Sequence, residues 1–213
     1  MTYTEFSQKS KRSDRSANDK VHFFSRYFST PVAFIFYKLG FTPNGATFVF
    51  LLIGLLSSLS LFLALPIASY LFWRFHIILD MADGDLARAT GIFSKSATGF
   101  DRSNHIVINT TFLLVSARDV DNILLVCFLL ISFYLFYFFD RNYFTVKQKP
   151  RGFSRLTNMF KDVFSLEGYI LLTCLFVSFE LEEFQSLTIF FYSLNFFILY
   201  LYKLKLFFVE SNT

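Results

Sequence analysis

What this chain can fold into is constrained most by its long apolar blocks, set apart by short polar interruptions. Residues 46–65, ATFVFLLIGLLSSLSLFLAL, contain no charged side chain. A hydrocarbon core about 30 Å thick takes roughly 20 such residues of helix to cross. Comparable blocks recur at 67–81, 97–116, 123–139, 163–179 and 185–202. With 54% of residues hydrophobic, 33 of them Phe, and only 17% charged, the chain is far from soluble domains, where charged residues make up about 25%. The expectation is an all-α integral membrane protein with six transmembrane helices and one domain over residues 21–213.

Residues 1–20 are rich in Ser, Lys and Arg and are expected to form a disordered cytoplasmic tail. Residues 21–41 mix aromatics with Arg26 and Lys38 and are interrupted by Pro31, a pattern that suits an N-terminal interfacial helix. The early residues hold no short apolar run ending in small residues, so targeting is expected from the first span.

The formal charge is +4, and the basic residues cluster at the N-terminus, between 140 and 162, and near the C-terminus. The turns between, at Pro66, 117–122 (ARDVDN) and 180–183 (ELEE), lean neutral or acidic. An even number of spans with both termini in the cytoplasm places the basic clusters inside. No Lys/Arg stripe alternates with exposed aromatics, so nucleic acid is not an expected partner. Cys127 and Cys174 sit in apolar runs and read as small buried hydrophobes.

The chemistry is concentrated in residues 80–105, DMADGDLARATGIFSKSATGFDRSNH. Asp80 and Asp83 share a face of a helix, as do Asp101 and His105 on the next. If those helices pack together, the four side chains converge. Carboxylates gathered at one point resist ionisation unless a cation joins them, and oxygen-rich sites suit Mg²⁺ or Mn²⁺. Arg88 offers a phosphate contact, and Gly84 and Ala87 leave space beside the acidic face. The plainer reading is three solvated carboxylates paired with Arg88, Lys95 and Arg102, with Asp85 a solvent-facing neighbour. Arg74 and His76, inside an apolar block, are either satisfied bundle residues or an anion site.

The order Asp80-x-x-Asp83-Gly84-x-x-Ala87-Arg88, eight residues, Ala97, three residues, Asp101, three residues, His105 resembles the CDP-alcohol phosphatidyltransferase pattern DxxDGxxAR, eight residues, GxxxDxxxD. Thr42-Pro43-Asn44 followed by Thr47 resembles the PNxxT stretch of the same family. The resemblance, with the six-span layout, covers most of the chain from about residue 20. It implies transfer of a phosphatidyl or related group from a CDP-linked lipid donor to an acceptor alcohol, with release of CMP. It also implies a site at the cytoplasmic face of the membrane and a homodimer embedded in membrane lipid. By the same resemblance, Asp80, Asp83, Asp101 and His105 occupy the metal positions for Mg²⁺ or Mn²⁺. Gly84, Ala87, Arg88, Asn44 and Thr47 would line the CDP pocket, and Asp101 and His105 would be catalytic. Two positions depart from the pattern: Ala97 replaces the second Gly, and His105 replaces the last Asp, the proposed base. A neutral imidazole can accept a proton or bind a metal. The alternative expectation is a family member that binds CDP-lipid, or serves as a membrane partner subunit, without turnover.

Overall fold

A computed structural model describes residues 1–11, 23–93, 97–143, 165–181 and 183–210. Among the described residues the secondary structure is entirely helical. The helices are α1 (Tyr3–Ser10), α2 (Phe23–Lys38), α3 (Pro43–Phe62), α4 (Pro66–Thr90), α5 (Ala97–Ser116), α6 (Ile123–Tyr143), α7 (Leu166–Ser178) and α8 (Glu183–Glu210). Each of the six apolar blocks contains a helix among its described residues. Two segments, Pro43–Phe62 and Glu183–Lys205, are long and apolar enough to cross a membrane. The basic stretch 140–162 lies outside the described residues beyond Tyr143.

The helix boundaries follow local chemistry. Thr42 caps α3 by accepting the Gly45 N–H at 3.2 Å, and Pro43 occupies the first turn, where its missing N–H costs nothing. The α3–α4 connection is tight. Ala64 takes a left-handed φ of 56°, and Pro66 starts α4. Gly91, at φ 71°, ends α4, as a left-handed cap favours glycine.

Three expectations are corrected. The tail is not disordered throughout, because residues 3–10 form α1. Thr2 and Glu5 make a reciprocal capping box, the Thr2 N–H donating to Glu5 at 3.0 Å. That bond and the Thr2 hydroxyl hold the exposed Glu5 carboxyl below its usual range. Phe6 is fully buried against Phe34 and Tyr37 of α2, which supplies the tertiary burial that a short helix needs. Residues 12–20 of the expected tail lie outside the described residues. Second, α2 is not broken at Pro31 but continues through it. Proline removes one backbone hydrogen bond and tends to kink a helix, but here the flanking turns pack against α1 and α4. Third, Cys127 is exposed on α6, whereas Cys174 is buried.

The chain divides into two compact units, Met1–Phe112 and Leu113–Thr213. In the first, α2, α3 and α4 pack around Phe50, Leu79, Ala82 and Leu86, all essentially inaccessible. A Cβ built on Gly54 of α3 would lie 2.5 Å from Ile108 Cδ1, so α3 and α5 meet at a glycine. Arg74 donates to Ser25 on α2. His76 is buried, its Nδ1 2.7 Å from the Trp73 carbonyl, so both residues have partners inside the bundle. In the second unit, the Tyr169 and Ser116 hydroxyls lie 2.7 Å apart. Gln185 donates to the Ser116 carbonyl at 2.9 Å, a paired polar group in an otherwise apolar core.

Candidate functional site

The site lies in the first unit, on the last turns of α4 and the first turns of α5. α4 continues well past its apolar block to Thr90, so residues 80–88 are all helical and their faces are fixed by the α-helical period. Asp80 falls on the face toward α5. From α5, Asp101 and His105 are one turn apart.

His105 Nε2 lies 3.1 Å from Asp80 Oδ1 and 3.4 Å from Asp101 Oδ1. Donor atoms of Asp80, Asp101 and His105 all lie within 4.8 Å of one another, and each side chain is only partly buried. Phe50 of α3 packs against the His105 ring, with centroids 5.5 Å apart, and fixes its plane.

Two carboxylate oxygens and one imidazole nitrogen at this separation fit a divalent ion. Adjacent ligands on an ion with bonds of about 2.1 Å are about 3 Å apart, close to the two distances from His105. Carboxylate oxygens suit Mg²⁺ and Mn²⁺, and the imidazole is better matched to Mn²⁺.

Asp83 stands apart from that trio. Its carboxylate accepts the Thr47 hydroxyl at 2.6 Å, and the same hydroxyl lies 3.0 Å from the Pro43 carbonyl. Thr47 is thus a buried residue of α3 that orients an acid of α4. Asn104 of α5 donates to the Thr47 carbonyl at 3.4 Å, tying the third helix to the same point. Asn44 is exposed in the first turn of α3. Gly84 and Ala87 are partly exposed on α4.

Asp85 departs from its expected solvent-facing position. It is 4% exposed, and its Oδ2 accepts hydroxyl hydrogen bonds from Ser29 at 2.8 Å and Thr30 at 3.0 Å. Its Oδ1 pairs with Arg88. Arg88 in turn donates from Nε to the Ser10 carbonyl at 2.8 Å. Ser10, Ser29 and Thr30 escaped the reading of the sequence. One local signal bears on Ser10, the Thr2-x-x-Glu5 capping box that starts α1; nothing local to α4 signals Ser29 and Thr30.

The chain matches no known protein-family model, and no curated protein matches it.

Proposed function

We propose that this protein is a divalent-cation-dependent CDP-alcohol phosphotransferase of lipid synthesis, with six membrane spans and its site and both termini at the cytoplasmic face. The observation that carries the reading is the convergence of Asp80, Asp101 and His105 from two helices onto one point, in the order the motif resemblance requires. Asp80 and Asp101 would hold Mg²⁺ or Mn²⁺, with Asp83 on the same helix as a further acid. A bound cation supplies charge neutralisation for a diphosphate whose bridging P–O bond is breaking.

The chain's own groups account for the rest of the chemistry. The acceptor's hydroxyl oxygen forms a bond to the donor's lipid-bearing phosphorus. The bond from that phosphorus to the CMP oxygen breaks, and CMP leaves with the electron pair. The neutral His105 imidazole takes the hydroxyl proton, and the carboxylates 3.1 and 3.4 Å from its Nε2 stabilise the imidazolium that forms. One lone pair cannot hold a cation and accept a proton in the same step, so His105 serves as base only when the carboxylates carry the ion. Thr47 holds Asp83 in place, and the positive-inside distribution of Lys and Arg supports the orientation.

A second reading rests on the same residue. His105 stands where the pattern has its last Asp and lies between two carboxylates, a position suited to bridging them without turnover. In that reading the protein binds CDP-lipid or acts as a membrane partner subunit.

Purified protein incubated with CDP-diacylglycerol, Mn²⁺ or Mg²⁺ and a panel of alcohol acceptors distinguishes them. CMP release by the native chain supports the enzyme. Release only after His105→Asp supports the second reading. No release from either chain in the presence of every acceptor contradicts the first.

A further inference from the structure

Outside the acidic trio, α1, α2 and α4 meet at a polar corner. Asp85 gathers three side-chain donors there: the Ser29 and Thr30 hydroxyls and the Arg88 guanidinium. A buried carboxylate so arranged is fully engaged, and its helical partner Arg88 is held in one rotamer. α1 completes the hold, because the Ser10 carbonyl at its C-terminal end accepts from Arg88 Nε. A carbonyl in the last turn of a helix, left without an intrahelical partner, is a good acceptor for a cationic donor.

α1 is anchored well enough to serve. Its first turn is closed by the Thr2–Glu5 capping box. Phe6 is buried to 0% exposure, with its ring centroid 5.5 Å from Phe34 and 5.6 Å from Tyr37.

The hold uses the Nε and Nη2 atoms and leaves the other end of the guanidinium over the helix. A Cβ built on Gly84 would lie 3.3 Å from Arg88 Nη1 and 3.6 Å from Nη2, so the guanidinium rests over the glycine with Nη1 the nearer nitrogen. Asp80, Gly84 and Arg88 follow one another at four-residue spacing, and side chains in a helix lean toward its N-terminus. The guanidinium thus lies over the face of α4 that also carries Asp80. The Arg88 side chain keeps 22% exposure, so the group is held but not sealed.

We propose that α1 and Asp85 are positioning elements of a phosphate subsite: they grip Arg88 by Nε and Nη2 so that its Nη1 end is presented, beside the Asp80 stripe, to the diphosphate of a nucleotide. The inference rests on the phosphotransferase reading given above. It assigns a role to the N-terminal helix, and it gives Asp85 a task distinct from the cation-holding acids. Arginine loses much rotamer freedom when it binds an anion, and ordering it beforehand lowers that cost.

The test is binding of CDP and of cytidine, in the presence of Mn²⁺, to the full-length native protein and to Phe6→Ala, Phe6→Leu and Asp85→Asn. Phe6→Ala withdraws the anchor of α1, and Phe6→Leu largely keeps it. The expected result is CDP affinity about tenfold weaker in Phe6→Ala and in Asp85→Asn, near-native affinity in Phe6→Leu, and cytidine affinity unchanged in all three. Adding Phe6→Ala to Asp85→Asn then weakens CDP binding little further, because both act through one guanidinium. Native protein that fails to bind CDP overturns the phosphotransferase reading and this inference together. Native binding that Phe6→Ala leaves intact overturns this inference alone. An equal loss of CDP and cytidine also overturns it, since that is general damage and not the loss of a phosphate contact.

Discussion

Gly54→Ala tests whether the acidic trio depends on the close approach of α3 and α5. The added Cβ would lie 2.5 Å from Ile108 Cδ1, 2.7 Å from Cγ1 and 2.9 Å from Cγ2. Carbon atoms in good contact sit about 3.5–4.0 Å apart, so the overlap is roughly 1 Å. Ile108 is fully buried and has no open side to turn toward, so α5 itself must yield. Overpacking of this kind costs about 1–3 kcal/mol, and three simultaneous overlaps on a buried branched residue argue for the upper half of that range. Ile108 is one turn from His105 on α5, so the displacement reaches the site. A shift of about 1 Å in reacting groups can cost ~10²-fold in rate. Unfolding of the purified protein in detergent measures the first effect, and CMP release measures the second. Ile108→Ala removes all three clashing atoms, so Gly54→Ala should cost nothing in that background, giving a coupling energy of about 1–3 kcal/mol. Native-like stability of Gly54→Ala on its own would refute the packing argument.

Other outcomes follow from the same geometry. Thr47→Val keeps the shape but removes the hydroxyl that donates to Asp83 at 2.6 Å; we expect a loss of about 1–3 kcal/mol in chemical unfolding, the range for leaving a buried acceptor without its donor. His105→Ala separates base from ligand: as base, it lowers turnover by about 10²–10⁴-fold while a Mn²⁺ titration followed by electron paramagnetic resonance shows little change in affinity. Weakened Mn²⁺ binding would instead assign His105 to the ion. Ala64→Gly relieves a left-handed residue at φ 56° and is expected to raise stability by roughly 1 kcal/mol, seen as a higher Tm.

Much of this fold is legible in the sequence, because apolar blocks and punctuation are local signals. Thr42-Pro43 opens α3, Pro66 opens α4 and Gly91 closes it, each by a rule that involves only neighbouring residues. The shared face of Asp101 and His105 follows from four-residue spacing alone, and its meeting with Asp80 required only that two successive helices pack. Asp85 was misread for the opposite reason. Its partners Ser29 and Thr30 lie on α2, distant in sequence, and no periodicity on α4 reports them. α1 was missed because a short polar helix has little intrinsic stability. What decides it is the burial of Phe6 against Phe34 and Tyr37, which is a tertiary event. Asp83 was grouped with Asp80 by spacing, yet the hydroxyl of Thr47 gives it a partner of its own.

The most direct measurement is CMP release from CDP-diacylglycerol by protein stripped of metal with chelator and then given Mn²⁺ or Mg²⁺, comparing the native chain with Asp80→Ala, Asp83→Ala and Asp101→Ala. The account predicts release by the native chain that returns only with the added ion and is lost in Asp80→Ala and Asp101→Ala, with Asp83→Ala strongly impaired. Release that persists without the ion, or full activity in all three variants, would contradict it.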